Sequence, residues 1–211
     1  MTGETVETQH RLLYRVAALL LEYPDNELIA VLPDLHRAAA GLPAPGGAAL
    51  ERLITHLQVT QLPALTADYV ATFDLRRRCC LYLTYYAYGD TRKRGQALLT
   101  FKQAYRGAGV ELEADELPDH LCVVLEFAAT ADLDRGRGLL LEHRAGLELL
   151  RLALVDCGSA YAEALVAVCS TLPPLAGGDC EAVARLAAEG PPGEDVGLEP
   201  FAPPDYMGAR T

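Results

Sequence analysis

The chain has 211 residues, 51% of them apolar and 22% charged, with 18 Gly and 13 Pro. A chain of this size suits one globular domain that buries about 70% of its unfolded surface, and the balance excludes a mostly disordered or collagen-like polymer. Eighteen Lys and Arg against 29 Asp and Glu give a formal net charge of −11, so phosphate repulsion opposes any general nucleic-acid role.

The N-terminal MTGETVETQHR carries acids before its first Arg and has no apolar core, unlike a secretory signal. Leu12, Leu13, Val16, Leu19 and Leu20 then repeat at helical spacing, and the run stops at Tyr23-Pro24, because proline disfavours helix in the residue before it. Asp25 reads as the N-cap of a second helix, interrupted or restarted at Pro33. Gly41 to Gly47, GLPAPGG, is a loop by composition. Further helices are predicted over Ala49–Gln58, Leu65–Tyr88 with a junction near Asp74, Thr91–Arg106, Pro118–Thr130, Asp132–Val155, Ser159–Leu172 and Asp179–Glu189. No segment alternates with period two. The fold class is therefore all-α, a single-domain bundle of eight to ten helices spanning residues 1–189. From Gly190 to the end the chain is rich in proline and glycine and reads as a loose tail, ordered only where Leu198 and Phe201 find a groove.

The longest uncharged stretch, Ala164 to Gly178, is broken by Pro173, Pro174, Gly177 and Gly178 and is too short to cross a bilayer. The six cysteines (Cys79, Cys80, Cys122, Cys157, Cys169, Cys180) contain no C-x-x-C pair and read as free thiols of a reducing cytoplasm.

Catalytic patterns are missing from the sequence: there is no G-x-S-x-G, H-E-x-x-H or G-x-x-x-x-G-K, and the five histidines form no i, i+3 or i, i+4 pair. The reading is a non-enzyme without a metal. Charge is unevenly spread, however. Between Asp74 and Arg106, eight basic residues face two acidic ones, a local net of +6, while the rest of the chain carries −17. Such polarity suits oriented docking on a partner, although long basic side chains also lie on ordinary solvated helix faces. Gly89 to Gly95, GDTRKRG, places Arg92, Lys93 and Arg94 at a predicted helix start, where an anion is favoured; no strand precedes it, so it is no phosphate loop, and a tight turn at Gly89 with Asp90 or Thr91 as cap is the preferred reading. Tyr69, Tyr82, Tyr85, Tyr86 and Tyr88 cluster with Phe73 in one predicted stretch, with Tyr82, Tyr85 and Tyr86 spaced to share a face. Such rings suit either a core or a peptide groove. In Glu116 to Thr130, ELPDHLCVVLEFAAT, Pro118 suits the first turn, Leu121, Val124, Leu125 and Ala128 form a buried stripe, and Asp119 and Glu126 fall along a neighbouring face. Along the helix axis these acids are about 10 Å apart, too far for a catalytic dyad and well placed to meet a cationic peptide.

Three segments together resemble one family. Tyr69 to Gly109 (YVATFDLRRRCCLYLTYYAYGDTRKRGQALLTFKQAYRGAG), Glu116 to Ala129 (ELPDHLCVVLEFAA) and Leu19 to Asp25 (LLLEYPD) are similar to the NarJ family, assembly chaperones of respiratory nitrate reductase, grouped with the chaperones of molybdoenzymes that carry twin-arginine leaders. The likeness runs in order from Leu12 to about Glu189. The F-D-x-x-R-R and Y-Y-x-Y-G-D-T-R-K-R-G strings are specific to it, whereas the Pro118-Asp119-His120 triplet is shared more widely. Cys79-Cys80 stands where polar or small residues are usual, and Cys122 where proline is common.

The resemblance implies a cytoplasmic chaperone, monomer or weak dimer, that binds the apo catalytic subunit of nitrate reductase through its leader-like N-terminus. It would hold that subunit until the molybdenum cofactor is inserted, retaining no cofactor itself. On this reading a leader helix docks against Phe73, Tyr82, Tyr86, Val123 and Phe127, with Asp119, His120 and Glu126 supplying the polar wall. Arg76, Arg77, Arg78, Asp90, Arg92, Lys93 and Arg94 form a second contact or anion site. The alternative is a carrier that holds the molybdopterin cofactor or a nucleotide directly through GDTRKRG.

Overall fold

The structure, a computed structural model, describes residues 3–112, 116–175 and 177–189. The tail from Gly190 lies outside them. Among the described residues eleven α-helices follow in order: α1 (Gly3–Leu20), α2 (Asn26–Ala40), α3 (Gly46–Val59), α4 (Leu62–Tyr69), α5 (Leu83–Tyr88), α6 (Arg92–Gly107), α7 (Leu121–Thr130), α8 (Leu133–Glu142), α9 (Arg144–Asp156), α10 (Ala162–Ser170) and α11 (Gly177–Glu189). Among the described residues the single pairing of extended chain is an antiparallel bridge between Tyr82 and His120. The expected all-α class is what forms, and no helix of the described residues is long and apolar enough to cross a membrane.

Helix α1 lies at the centre. It buries Leu13, Tyr14, Val16, Ala17 and Leu20 and packs along α7, with α2, α3 and α10 on its other sides. Helix α9 then joins α8, α10 and α5 to the same apolar core, and α11 packs along α9 outside it. Arg11 from α1 donates to the carbonyl oxygens of Ala128 (3.4 Å) and Ala129 (3.0 Å), supplying donors and positive charge to the open C-terminal end of α7.

Asp25 caps α2 as expected, its carboxylate accepting from the Leu28 N–H at 2.8 Å. The helix is not interrupted at Pro33, which sits inside it on the solvent side. Leu32 and Leu35 flank the proline and are both buried, so packing holds the helix through the missing hydrogen bond. Two long predicted segments are divided, which raises the helix count. The 65–88 stretch leaves α4 through a π-helical turn (Val70–Asp74) and a short 3-10 turn (Arg77–Cys79), where Leu75 and Arg76 to Arg78 are exposed and no buried stripe continues the helix. Cys80 and Tyr82 then lie in extended backbone before α5 begins, with Leu81 between them buried. The 132–155 stretch breaks at His143, where the N–H of His143 bonds back to Leu139.

Helices α7 and α8 cross closely at Gly136, where an added Cβ would lie 2.6 Å from Cα of Ala128. Gly136→Val is expected to cost about 3 kcal/mol or more through overpacking, lowering Tm by roughly 6–12 °C at this chain length. Gly138, on the same helix with open space around its Cβ direction, is the control. Gly138→Ala should hold or raise Tm slightly, since helical Gly costs about 0.5–1 kcal/mol relative to Ala. Thermal melts of both variants by circular dichroism check the pair; equal behaviour would refute the close-approach argument.

Candidate functional site

The bridge between Tyr82 and His120 organises the centre of the site. Residues 80–83 run beside 117–121: Leu121 N–H donates to Leu81 O (2.8 Å) and Leu83 N–H to Asp119 O (3.0 Å). This brings Asp119, wholly buried, to the first turn of α5, where it accepts from the Thr84 N–H at 3.1 Å and from the Thr84 hydroxyl. An acid from a distant segment thus caps α5, as free N–H groups and the helix dipole favour. Arg94 reaches in from α6. Its Nη2 lies 3.7 Å from Asp119 Oδ2, its Nε donates to Thr84 Oγ1 (3.1 Å), and its guanidinium sits 5.2 Å from the centre of the Tyr82 ring. Asp90 joins from the exposed side, 3.4 Å from Arg94. The Tyr82 hydroxyl donates to Glu116 at 3.0 Å, and burial with that hydrogen bond pushes its pKa up to about 12. Burial holds the His120 imidazole below its usual pKa, so the ring packed edge-on against Tyr82 favours its neutral form.

This geometry corrects the sequence expectation that Asp119 and Glu126 lie along one face. The helix starts at Leu121 rather than Pro118, and Pro118 sits in a turn whose carbonyl accepts from the Tyr105 hydroxyl at 2.5 Å. Asp119 therefore points inward, while Glu126 remains half-exposed and pairs with Arg15 of α1. Tyr82, Tyr85 and Tyr86 likewise do not share one face, because Tyr82 precedes α5 in extended backbone. The single groove expected around Tyr82, Tyr86, Val123 and Phe127 is not formed: Val123 and Phe127 line one cavity, Tyr86 lines another, and Tyr82 lines neither.

The first is a cavity of about 260 Å³ on the outer face of α7. Tyr105, Cys122, Val123 and Phe127 form its apolar floor, with the Tyr105 and Phe127 rings 4.6 Å apart; Val110 and Leu112 form a wall. Glu22 and Glu126 stand on the rim. Partial burial raises the pKa of Glu22 above the ordinary carboxylate range, with Asp25 adding to the shift and Arg15 opposing it. Burial also pushes the Cys122 thiol well up, leaving it unreactive at neutral pH.

The second cavity, about 470 Å³, lies between the Arg77–Cys79 turn, α5, α9 and α11. Tyr85, Tyr86, Leu149 and Leu152 give it an apolar floor, and Arg77 and Arg78 a basic edge that a neighbouring pocket extends to Arg76. Tyr86 anchors that edge by donating to the carbonyls of Cys80 (2.9 Å) and Arg78 (3.1 Å). Gly146 of α9 leaves room for this ring: a Cβ there would come within 3.0 Å of Tyr86 Cβ. Asp156 is the acid on this rim, 3.8 Å from Arg78.

Of the remaining expected residues, Phe73 packs against Tyr69 and Tyr161 in the core at ring distances of 4.7 and 5.1 Å. The GDTRKRG string is divided: Arg92 and Lys93 are exposed, Arg94 is committed to Asp119, and the Thr91 hydroxyl bonds to Tyr88 O rather than capping α6. Among the described residues no cluster of three His, Cys, Asp or Glu side chains converges as a metal centre would. Sequence reasoning missed Tyr105, whose spacing of four from buried Phe101 was the available signal, and Glu22, which nothing in the sequence singles out.

Comparison with known proteins places this architecture. The profile of the family described as "Nitrate reductase delta subunit" matches residues 39–167. The chain is 40% identical over 159 residues to the nitrate reductase-like protein NarX of Mycobacterium tuberculosis, covering 75% of this chain and 24% of that protein. It thus spans about a quarter of the length of these mycobacterial relatives. Over 162 residues it is 32% identical to the Bacillus subtilis protein named "Probable nitrate reductase molybdenum cofactor assembly chaperone NarJ", covering 75% of this chain and 86% of that one. A crystal structure from Archaeoglobus fulgidus, described as that of a redox enzyme maturation protein, shares the fold with a TM-score of 0.55 at 22% identity, over 75% of this chain and 90% of that chain. With the family profile matching well over half of its length, the chain belongs to the nitrate reductase delta subunit family, which also holds the NarJ assembly chaperones.

Proposed function

We propose that the protein is an assembly chaperone that binds the apo catalytic subunit of respiratory nitrate reductase and keeps it open for molybdenum cofactor insertion, acting in the cytoplasm and catalysing no reaction itself. The α7 groove carries this reading. An apolar floor of Val123 and Phe127 beneath a rim of Glu22 and Glu126 fits one amphipathic helix bearing Lys or Arg, the chemistry of a leader-like N-terminal segment. Holding the client before cofactor arrives requires only that the unfilled form bind more tightly. The cofactor stays with the client. On docking, a client cation replaces Arg15 as the partner of Glu126, so electrostatics contributes modestly and the apolar floor supplies most of the affinity.

Calorimetric titration with a peptide copying the N-terminus of the catalytic subunit tests this. Saturable binding is expected. Glu126→Gln should weaken it roughly two- to fivefold, the range for an exposed pair worth about 0.5–1 kcal/mol, and the loss should shrink at high salt. Absence of saturable binding would sink the leader-docking reading. Binding that ignores salt and both Glu22→Gln and Glu126→Gln would move the peptide off this groove.

A further inference from the structure

The second groove is closed by α11, and α11 leads directly into a segment whose composition complements it. Leu186 and Ala187, one turn from the end of α11, form part of the groove wall beside Tyr85, Leu149 and Leu152. Residues 190–211 follow. They contain Glu194, Asp195, Glu199 and Asp205 against one Arg210, a net of −3, together with Leu198, Phe201 and Tyr206. The groove presents the opposite character on balance: an apolar floor, with the exposed side chains of Arg77 and Arg78 on its edge and Arg76 in the adjoining pocket, three cations against the one acid Asp156 that faces Arg78.

From this complementarity we infer that residues 190–211 are the occupant of this groove, Leu198 and Phe201 lying on the floor and Glu194, Asp195 and Glu199 against Arg76 to Arg78. Distance permits it. Eight residues separate Glu189 from Leu198, and extended chain spans about 3.3 Å per residue, so the tether covers the cavity from its own wall. Covalent linkage sets a local concentration on the order of millimolar, which lets a weak contact between a short acidic segment and a basic apolar groove stay closed. Five prolines in the segment limit the conformations lost on docking. The groove is thereby a docking site filled by the same chain, separate from the α7 groove that the proposed function uses.

The protein contains no Trp, so Phe201→Trp in the full chain gives a selective probe. Blue-shifted emission is expected, with acrylamide quenching severalfold weaker than for a free indole and unchanged on dilution. Adding Arg77→Glu with Arg78→Glu should shift the emission to that of exposed Trp while far-UV circular dichroism stays constant. If that pair unfolds the chain, Leu152→Asp on the half-open floor replaces it with the same expected shift. Exposed emission in the Phe201→Trp protein alone overturns the inference. Buried emission indifferent to both groove variants also overturns it, by placing the segment elsewhere. Emission that becomes exposed on dilution assigns the segment to a second copy of the chain and overturns the intramolecular form.

Discussion

Asp119→Ala is expected to cost about 3–5 kcal/mol of folding stability, the range for removing one partner of a buried ion pair, and to lower Tm by roughly 6–20 °C for a chain of this length. The carboxylate is wholly buried and serves three groups at once: the Thr84 N–H, the Thr84 hydroxyl and the Arg94 guanidinium. Deleting it leaves an uncapped α5 and a largely buried cation without its counter-charge. Asp119→Asn retains an acceptor for the Thr84 N–H but gives up the charge, so it should cost less, about 1–3 kcal/mol. Arg94→Ala in the Asp119→Ala background removes the stranded cation, and the double variant should be less destabilised than the two single losses added together. Peptide binding in the α7 groove should survive in folded Asp119→Asn, because this residue does not line that groove. Denaturant unfolding of the original protein, the single variants Asp119→Ala, Asp119→Asn and Arg94→Ala, and the double variant decides the matter. A cost below about 1 kcal/mol for Asp119→Ala, the level of an exposed pair, would show that the carboxylate is not structural.

How these residues divide between core and surface explains how far the sequence could be read. Helix positions were legible because the apolar period is a local property: Leu13, Val16 and Leu20 on α1, and Leu121, Val124, Leu125 and Ala128 on α7, are all buried where the spacing puts them. The Asp25 cap was legible for the same reason. What the period could not reveal was where a helix yields to something non-local. The break after Asp74 depends on Tyr82 and His120 pairing across 38 residues, and continuity through Pro33 depends on the core that grips Leu32 and Leu35. The site suffered most from this limit. Asp119 at a helix start reads as an exposed first-turn acid; only the bridge between Tyr82 and His120 turns it inward. Glu126, Val123 and Phe127 were found because they share α7, a local face, while Tyr105 and Glu22 arrive from other elements.

Val123→Asp is expected to weaken leader-peptide binding far more than any change on the acidic rim. Val123 is a partly buried groove residue, whereas its neighbours Val124 and Leu125 are fully buried. It also packs against the core and stands one turn from Glu126, so Val123→Asp should cost about 1–3 kcal/mol of folding stability, and binding is compared on protein that circular dichroism shows to be folded. Docking alters that balance. A helix laid on the groove floor removes water from position 123, and a carboxylate there loses its hydration among Tyr105, Cys122 and Phe127. A penalty of about 2–4 kcal/mol, consistent with burying an imperfectly paired polar group, corresponds to roughly 30- to 700-fold weaker binding at 1.4 kcal/mol per tenfold. Phe127→Ala is the poorer test, because a ring that is 95% buried also supports the core and its loss costs about 3–5 kcal/mol of stability. Val123→Ile, which keeps the floor apolar, should bind within a fewfold of the original protein. Titrating the same peptide into Val123→Asp, Val123→Ile and Glu126→Gln ranks the contributions. Should Glu126→Gln prove more damaging than Val123→Asp, charge rather than apolar burial holds the peptide, and the floor of α7 is not its seat.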